Sequence, residues 1–284
     1  MRLINFSHNG SHRLGARVGQ EVVDLTAAGL PDSVDGLLTL GAEGMARAEE
    51  LLRVRGTTLA LSSVKLLPPV LQPSKAIAVG LNYVDHAAES PYKDPPKYPV
   101  LFQRYPSSWV AHGEALVLPR ISSDFDYEAE LVVVIGKAGR YITKDLALSH
   151  VAGYTLFNDG SLRDYQLRTT QWMMGKNFDR SGGFGPELVT ADELPLGASG
   201  LRIQARLNGQ VVQDSNTAHM IFDVATLIAT ASEAMALQPG DIIIAGTPSG
   251  VGMARKPPLY MKVGDVCEVE IDQIGVLSNP IIAE

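Results

Sequence analysis

Apolar and polar positions alternate over short stretches through most of this chain, and sustained helical periodicity is scarce. Residues 2–6, 14–18 and 21–25 read as short strands separated by Gly-bearing turns at 8–11 and 19–20. Residues 34–54 have helical content in Leu37, Leu38, Met45, Ala46, Leu51 and Leu52, with Gly41 and Gly44 placed to split the helix. Pro68, Pro69 and Pro73 mark a boundary, so residues 1–70 read as a small cap or interface domain and 71–284 as the main body. From Ile77 onward short strands dominate. Residues 201–207 alternate, Asn208-Gly209 supplies a hairpin turn, and Val211-Val212 begin the return strand. Asp223 is placed to cap a helix that runs to Leu237 and stops at Pro239-Gly240, with strands following at 241–245 and 265–271. No repeat of solenoid length occurs. The predicted class is α+β and β-rich.

The 284-residue chain is 45% hydrophobic, enough for a packed core. Its 24 Lys+Arg against 31 Asp+Glu give a net charge of −7, which argues against a nucleic-acid binder. Cys267 is the single cysteine, so an intrachain disulfide and a thiolate metal cluster are excluded. Its alternating neighbours make it a packed thiol. The first residues lack the apolar segment of a secretory leader, and no run approaches the ~20 apolar residues that span a bilayer. A cytoplasmic protein with no membrane partner is expected.

The segment Asp124-Phe125-Asp126-Tyr127-Glu128-Ala129-Glu130-Leu131 leads straight into an apolar run that ends at Ile135. In a continuous strand Asp124, Asp126, Glu128 and Glu130 would share a face, at the rim of a core that resists burying charge. A divalent cation relieves that cost. Glu128 and Glu130, nearest the buried run, are the better ligands, and all-oxygen ligation favours Mg²⁺, Mn²⁺ or Ca²⁺ over zinc. Asp159, where the apolar strand 151–157 opens into Asn158-Asp159-Gly160, is a candidate third ligand.

Residues 80–89 follow a predicted strand, and with Asn82 as a helix cap they put His86 and Glu89 at i and i+3 on one face. A carboxylate beside an imidazole fixes its tautomer and suits it to general-base work. The four-proline stretch 90–99 reads as a lid. An acidic metal site needs cations to admit an anion; Arg163, Lys176 and Arg104 are candidates. The Gly-rich loop 245–252 could hold a carboxylate through its amides and Thr247. It lacks the closing Gly-Lys-Ser/Thr of a phosphate loop and the Gly-x-Ser-x-Gly of a serine nucleophile.

These segments, in this order, resemble the fumarylacetoacetate hydrolase superfamily over about residues 70–284. The carrying motifs are Gly80-Leu81-Asn82-Tyr83-Val84-Asp85-His86-Ala87-Ala88-Glu89, Asp126-Tyr127-Glu128-Ala129-Glu130-Leu131, Asn158-Asp159-Gly160-Ser161-Leu162-Arg163-Asp164-Tyr165-Gln166, Gln171-Trp172-Met173-Met174-Gly175-Lys176-Asn177-Phe178-Asp179 and Gly246-Thr247-Pro248-Ser249-Gly250-Val251-Gly252. The resemblance implies a mixed β-barrel-like catalytic fold, a homodimer, and Mg²⁺ or Mn²⁺ held by Glu128, Glu130 and Asp159. It makes His86 and Glu89 a lid dyad and Lys176 the active-site lysine, and places Arg163, Gln166 and Thr247 at the substrate. Tyr83 and Arg104 are expected there too, and Tyr83, Tyr92, Trp109 and Tyr260 as walls of an acyl pocket. Two departures stand out: Gly160 and Leu162 where the family has Asn-Asp-Val-Ser-Ala-Arg, and Arg104 where many members have lysine. His112 has no assigned role. The expected activity is hydrolysis of a C–C bond in a small anionic 2,4-diketo acid (an acylpyruvate) through an enolate that the metal and Lys176 stabilise. Oxaloacetate decarboxylation, isomerisation or tautomerisation of a 2-hydroxy-diene-dioate, and non-catalytic metal-dependent binding are the alternatives.

Overall fold

The computed structural model describes residues 1–89 and 96–284. Tyr92 and most of the segment read as a lid lie outside the described residues. A twelve-stranded sheet dominates. Its main path runs Thr58–Ala60, Glu21–Asp24, Ser11–Val18, Arg2–His8, Gly182–Thr190, Val151–Asn158, Ala129–Ile135, Ile242–Ile244, Ala76–Gly80, Val100–Gln103. A five-stranded sheet of Gln210–Asn216, Arg202–Leu207, Val266–Ile271, Gly275–Ala283 and Leu116–Leu118 packs against one face. Neither sheet closes on itself, so the barrel-like body is a pair of facing sheets within the expected α+β, strand-rich class.

The apolar run after the acidic segment becomes the central strand Ala129–Ile135, every residue of which is buried. Its period of two divides the core. Leu131, Val133 and Ile135 join Ile203, Val269 and Leu277 between the sheets. Val132 and Val134 face the other way, with Leu37, Leu38 and Ala48 of the helices Val34–Thr39 and Gly41–Val54. The helices divide at Gly41, whose φ of 62° breaks the helical path. The first strand, Arg2–His8, pairs antiparallel with Gly182–Thr190, so the N-terminal strands extend the large sheet. Asn208 and Gly209, at φ 53° and 79°, form the expected hairpin turn. Asp223 caps Val224–Ala234 by accepting the Thr226 N–H at 2.8 Å.

Candidate active site

The acidic segment is not one strand. Phe125–Asp126 pairs with Ser161–Leu162, the chain leaves the ladder at Tyr127 and Glu128, and pairing resumes at Ala129. The four carboxylates therefore part company. Asp124 remains half-buried at the edge. Asp126 turns into the protein and accepts the Gly252 and Met253 amides at 2.7 and 3.0 Å and Arg163 Nε at 2.8 Å. Glu128 and Glu130 remain, and Asp159 joins them; their ligand oxygens lie within 4.8 Å of one another. The Asn158-Asp159 turn makes this possible. Asn158 Oδ1 accepts the Glu128 N–H at 3.0 Å and the Asp159 N–H donates to the Glu128 carbonyl at 2.9 Å, so a side-chain and a backbone bond clasp the two acidic segments together.

All three carboxylates are buried. Glu128 receives Lys176 Nζ at 2.6 Å and Arg163 Nη1 at 2.7 Å. Asp159 receives the same Lys176 Nζ at 2.6 Å and Arg104 Nη1 at 2.8 Å. Burial would raise the Glu128 pKa, but Lys176 and Arg163 outweigh it and hold the group down at about 2. Glu130 accepts the Gly246 N–H at 2.6 Å. Burial, with Asp159 and Glu128 alongside, pushes its pKa well above the ordinary carboxylate range. The cluster is thus short of positive charge at Glu130. A divalent cation among three hard oxygen donors supplies what the cluster lacks, and the residues fit one.

His86 and Glu89 lie on the short helix Val84–Glu89, and His86 Nδ1 bonds Glu89 Oε1 at 2.9 Å. Asn82 does not cap that helix. Its amide is spent on the Phe222 and Ala245 carbonyls at 3.0 and 2.7 Å and on the Phe222 N–H at 2.8 Å, which fixes where the helix begins. The Gly-rich loop also departs from expectation. Its amides hold the protein's own carboxylates: Gly246 holds Glu130, Gly250 holds Glu89 at 3.0 Å, and Gly252 holds Asp126. These three glycine amides set the acidic groups in place.

Most of these groups meet on one cavity of about 410 Å³, with Asp159 just behind its lining, on Lys176. His86, Glu89, Glu128, Glu130, Arg163, Gln166, Lys176 and Thr247 supply its polar lining. Leu81, Phe102, Leu167, Trp172, Val251 and Met253 are its apolar wall. Arg163 is 4% exposed, and among the described residues its Nη2, itself buried, has no hydrogen-bond partner. Tyr83 and Arg104 do not line the cavity. Tyr83 is wholly buried behind it, with its hydroxyl unpaired among the described residues. Arg104 sits behind Asp159, spending its donors on Asp159, the Gly160 and Ser108 carbonyls and the Ser108 and Ser181 hydroxyls. Trp109 packs against Phe157 and Phe184 at 5.9 and 5.6 Å, and neither it nor Tyr260 lines the cavity. The wall is Trp172 instead, stacked so closely on Gly80 that a Cβ there would lie 2.1 Å from the ring. His112 Nδ1 accepts the Ser278 N–H at 3.2 Å, and burial lowers its pKa, as suits a neutral structural ring.

Cys267 is 1% exposed and accepts Asn158 Nδ2 at 3.4 Å. Burial first, and nearby Asp126 and Glu268, push its thiol up to about 12. Alkylation of the folded protein at pH 8 is expected to be slower than for an unfolded control by about 10³-fold or more, since the thiolate is the nucleophile. Mass spectrometry of iodoacetamide-treated protein checks this; rapid labelling without denaturant would contradict the packed thiol.

Residues 75–282 match the family model described as fumarylacetoacetate (FAA) hydrolase, C-terminal. The chain is similar to the mitochondrial oxaloacetate tautomerase fahd2 of Xenopus laevis, 41% identical over 99% of this chain and 90% of that protein. Its similarity to the mitochondrial oxaloacetate tautomerase FAHD2A of Homo sapiens is 40%, over 99% and 92%. Among solved structures it is similar to a putative HpcE protein from Mycobacterium smegmatis, with TM-score 0.88 and 36% identity over 100% of this chain and 99% of that one. It is also similar to maleylpyruvate hydrolase from Sphingobium sp. SYK-6, determined in complex with manganese(II) and pyruvate, with TM-score 0.83 and 30% identity over 100% and 99%. No described helix is long and apolar enough to cross a membrane.

Proposed function

The chain belongs to the fumarylacetoacetate hydrolase family, and from that membership and the geometry of the cavity we propose that it is a metal-dependent tautomerase of a small 2-oxo acid of the oxaloacetate type. One observation carries the reading. A Glu89-oriented His86 shares a single cavity with Glu128 and Glu130 of the buried carboxylate cluster and with Lys176. A keto–enol shift needs a base, a place for charge on oxygen and a dry pocket, and consumes no co-reactant.

Glu128, Glu130 and Asp159 would hold Mg²⁺ or Mn²⁺, which when bound supplies a Lewis acid for the 2-oxo group. Arg163 and Gln166, both on the cavity wall, receive the substrate carboxylate. Glu89 keeps a proton on His86 Nδ1, so Nε2 is the base that takes the proton from C3. As that C–H bond breaks, charge moves to the 2-oxygen, and the Lys176 ammonium stabilises it. Protonation of that oxygen by His86 completes the enol. Leu81, Phe102, Trp172 and Met253 keep bulk water from the carbanionic carbon.

A second reading is hydrolysis of a 2,4-diketo acid, with His86 activating water. The broad apolar wall favours it, because an acyl group would fill that side, and so does the likeness to a maleylpyruvate hydrolase. We likewise propose that residues 1–70 act as a cap and that the enzyme is a cytoplasmic homodimer. The test of function starts from enolic oxaloacetate with Mg²⁺ and an EDTA control. Faster loss of enol absorbance without pyruvate supports the tautomerase. Pyruvate above the metal-only rate would make it a decarboxylase, and acetate and pyruvate growing together from acetylpyruvate would make it a hydrolase.

A further inference from the structure

We propose that Asp85 is a positioning residue that sets how His86 reaches into the cavity. Asp85 precedes His86 on the six-residue helix Val84–Glu89 and does not line the cavity. Its Oδ1 accepts the His86 N–H at 2.8 Å. Its Oδ2 accepts two hydroxyls from separate parts of the fold, Ser215 at 3.0 Å and Ser249 at 3.1 Å. Ser215 belongs to the strand Gln210–Asn216 of the smaller sheet, and Ser249 to the Gly-rich loop. Two residues before Ser215, Gln213 Nε2 donates to Thr247 Oγ1 at 2.9 Å and to the Pro248 carbonyl at 2.8 Å. Strand, loop and helix are therefore knotted together at the Asp85 carboxylate. Ser215 Oγ also meets the exposed His219 Nδ1 at 3.3 Å.

The physical case rests on helix length. Six residues are far too few to hold a helix by backbone cooperativity, so tertiary contacts set its direction. Asn82 fixes the entry of the segment, and Glu89, bonded to the Gly250 amide, fixes its end. Glu89 is also the partner of His86, so a helix held by Glu89 alone would couple any rocking of the segment to the dyad itself. Asp85 supplies an independent anchor next to His86. Hydroxyl bonds to a carboxylate are charge-assisted and directional, as suits that task.

The inference rests on the role proposed above for His86, so the test reads the ring's position without turnover. His86 is 13% exposed at its side chain, and its modification by diethylpyrocarbonate, read peptide by peptide, reports whether the helix is held. Asp85→Ala and the double variant Ser215→Ala/Ser249→Ala are each expected to speed that modification by about tenfold, as local opening exposes the ring. Both should lower kcat by about 10- to 100-fold with KM little changed, because misplacement costs rate more than binding. Mn²⁺ affinity should stay as in the parent, which also checks that the fold survives. Asp85→Asn keeps the acceptor for the His86 N–H and can donate to both serine oxygens, so it should restore most of the parent behaviour. Parent-like His86 reactivity in Asp85→Ala would overturn the proposal. So would an Asp85→Asn as damaged as Asp85→Ala beside a silent serine pair, since charge alone would then be at work. If no substrate is turned over, modification and Mn²⁺ binding still decide the clasp, and only the functional reading falls.

Discussion

His86→Ala is expected to lose about 10²- to 10⁴-fold in kcat, the range for a general acid–base group, while binding Mn²⁺ as the parent does. The ring shares the cavity with Glu128 and Glu130 and is not part of the carboxylate cluster. Glu130→Gln should behave in the opposite way on binding: Mn²⁺ affinity should fall by more than about 100-fold, beyond the loss typical of an outer-shell partner, and turnover should fall with it. Its apo form should be at least as stable as the parent, because Glu130 is a buried carboxyl next to two others and, unlike Glu128 and Asp159, gains no cation in its hydrogen bonds among the described residues. Calorimetric titration with Mn²⁺ and thermal melting of the metal-free proteins check the pair. A fully active Glu130→Gln enzyme, or a His86→Ala protein that no longer binds metal, would break the assignment.

Gly160→Ala is expected to cripple the same site from outside it. A Cβ at Gly160 would lie 1.9 Å from the Ser181 carbonyl oxygen and 3.0 Å from the Phe125 ring. The clash belongs to the Cβ itself, so alanine suffices, and the valine common in the family would be worse. The turn that carries Asp159 must then move. Arg104 registers the move at once, because its Nη1 bridges Asp159 Oδ1 and the Gly160 carbonyl at 2.8 and 3.1 Å. A loss of about 1–3 kcal/mol in stability is expected, as for other overpacked sites. Mn²⁺ affinity should drop by about tenfold or more, since a supporting partner of the ligand is displaced. Urea unfolding and Mn²⁺ titration measure both, and parent-like values in both would show that the turn has slack the geometry denies. Gly160, which with Leu162 makes one departure from the family pattern, thus meets Arg104, the other, at one point. The guanidinium needs carbonyls from Ser108 and Gly160, and the missing side chain lets the Ser181 backbone close over the turn.

Much of this site was legible in the chain. Glu128, Glu130 and Asp159 drew attention because carboxylates at the rim of an apolar run demand compensation, and His86 with Glu89 because i and i+3 share a helix face. Asp126 was misplaced by the same reasoning. Strict alternation assumes an unbroken strand, and the ladder opens at Tyr127 and Glu128. Amides of a Gly-rich loop look alike in sequence whether their acceptor is a substrate or Glu130. Trp172 and Met253 as walls, and Arg104 as a support behind Asp159, had no local signature at all.

The local sequence by itself determined the strand-rich class, the central strand Ala129–Ile135, the hairpin at Asn208-Gly209 and the capped helix after Asp223. These follow from periodicity, turn chemistry and capping, which act over a few residues. Only the tertiary structure decided that Lys176 bridges Glu128 and Asp159, that Arg163 keeps one donor unpaired, and that Asp85 gathers Ser215 and Ser249. Those pairings join residues 17 to 164 positions apart, and which partner a buried charge finds is set by packing at long range, on which local pattern is silent.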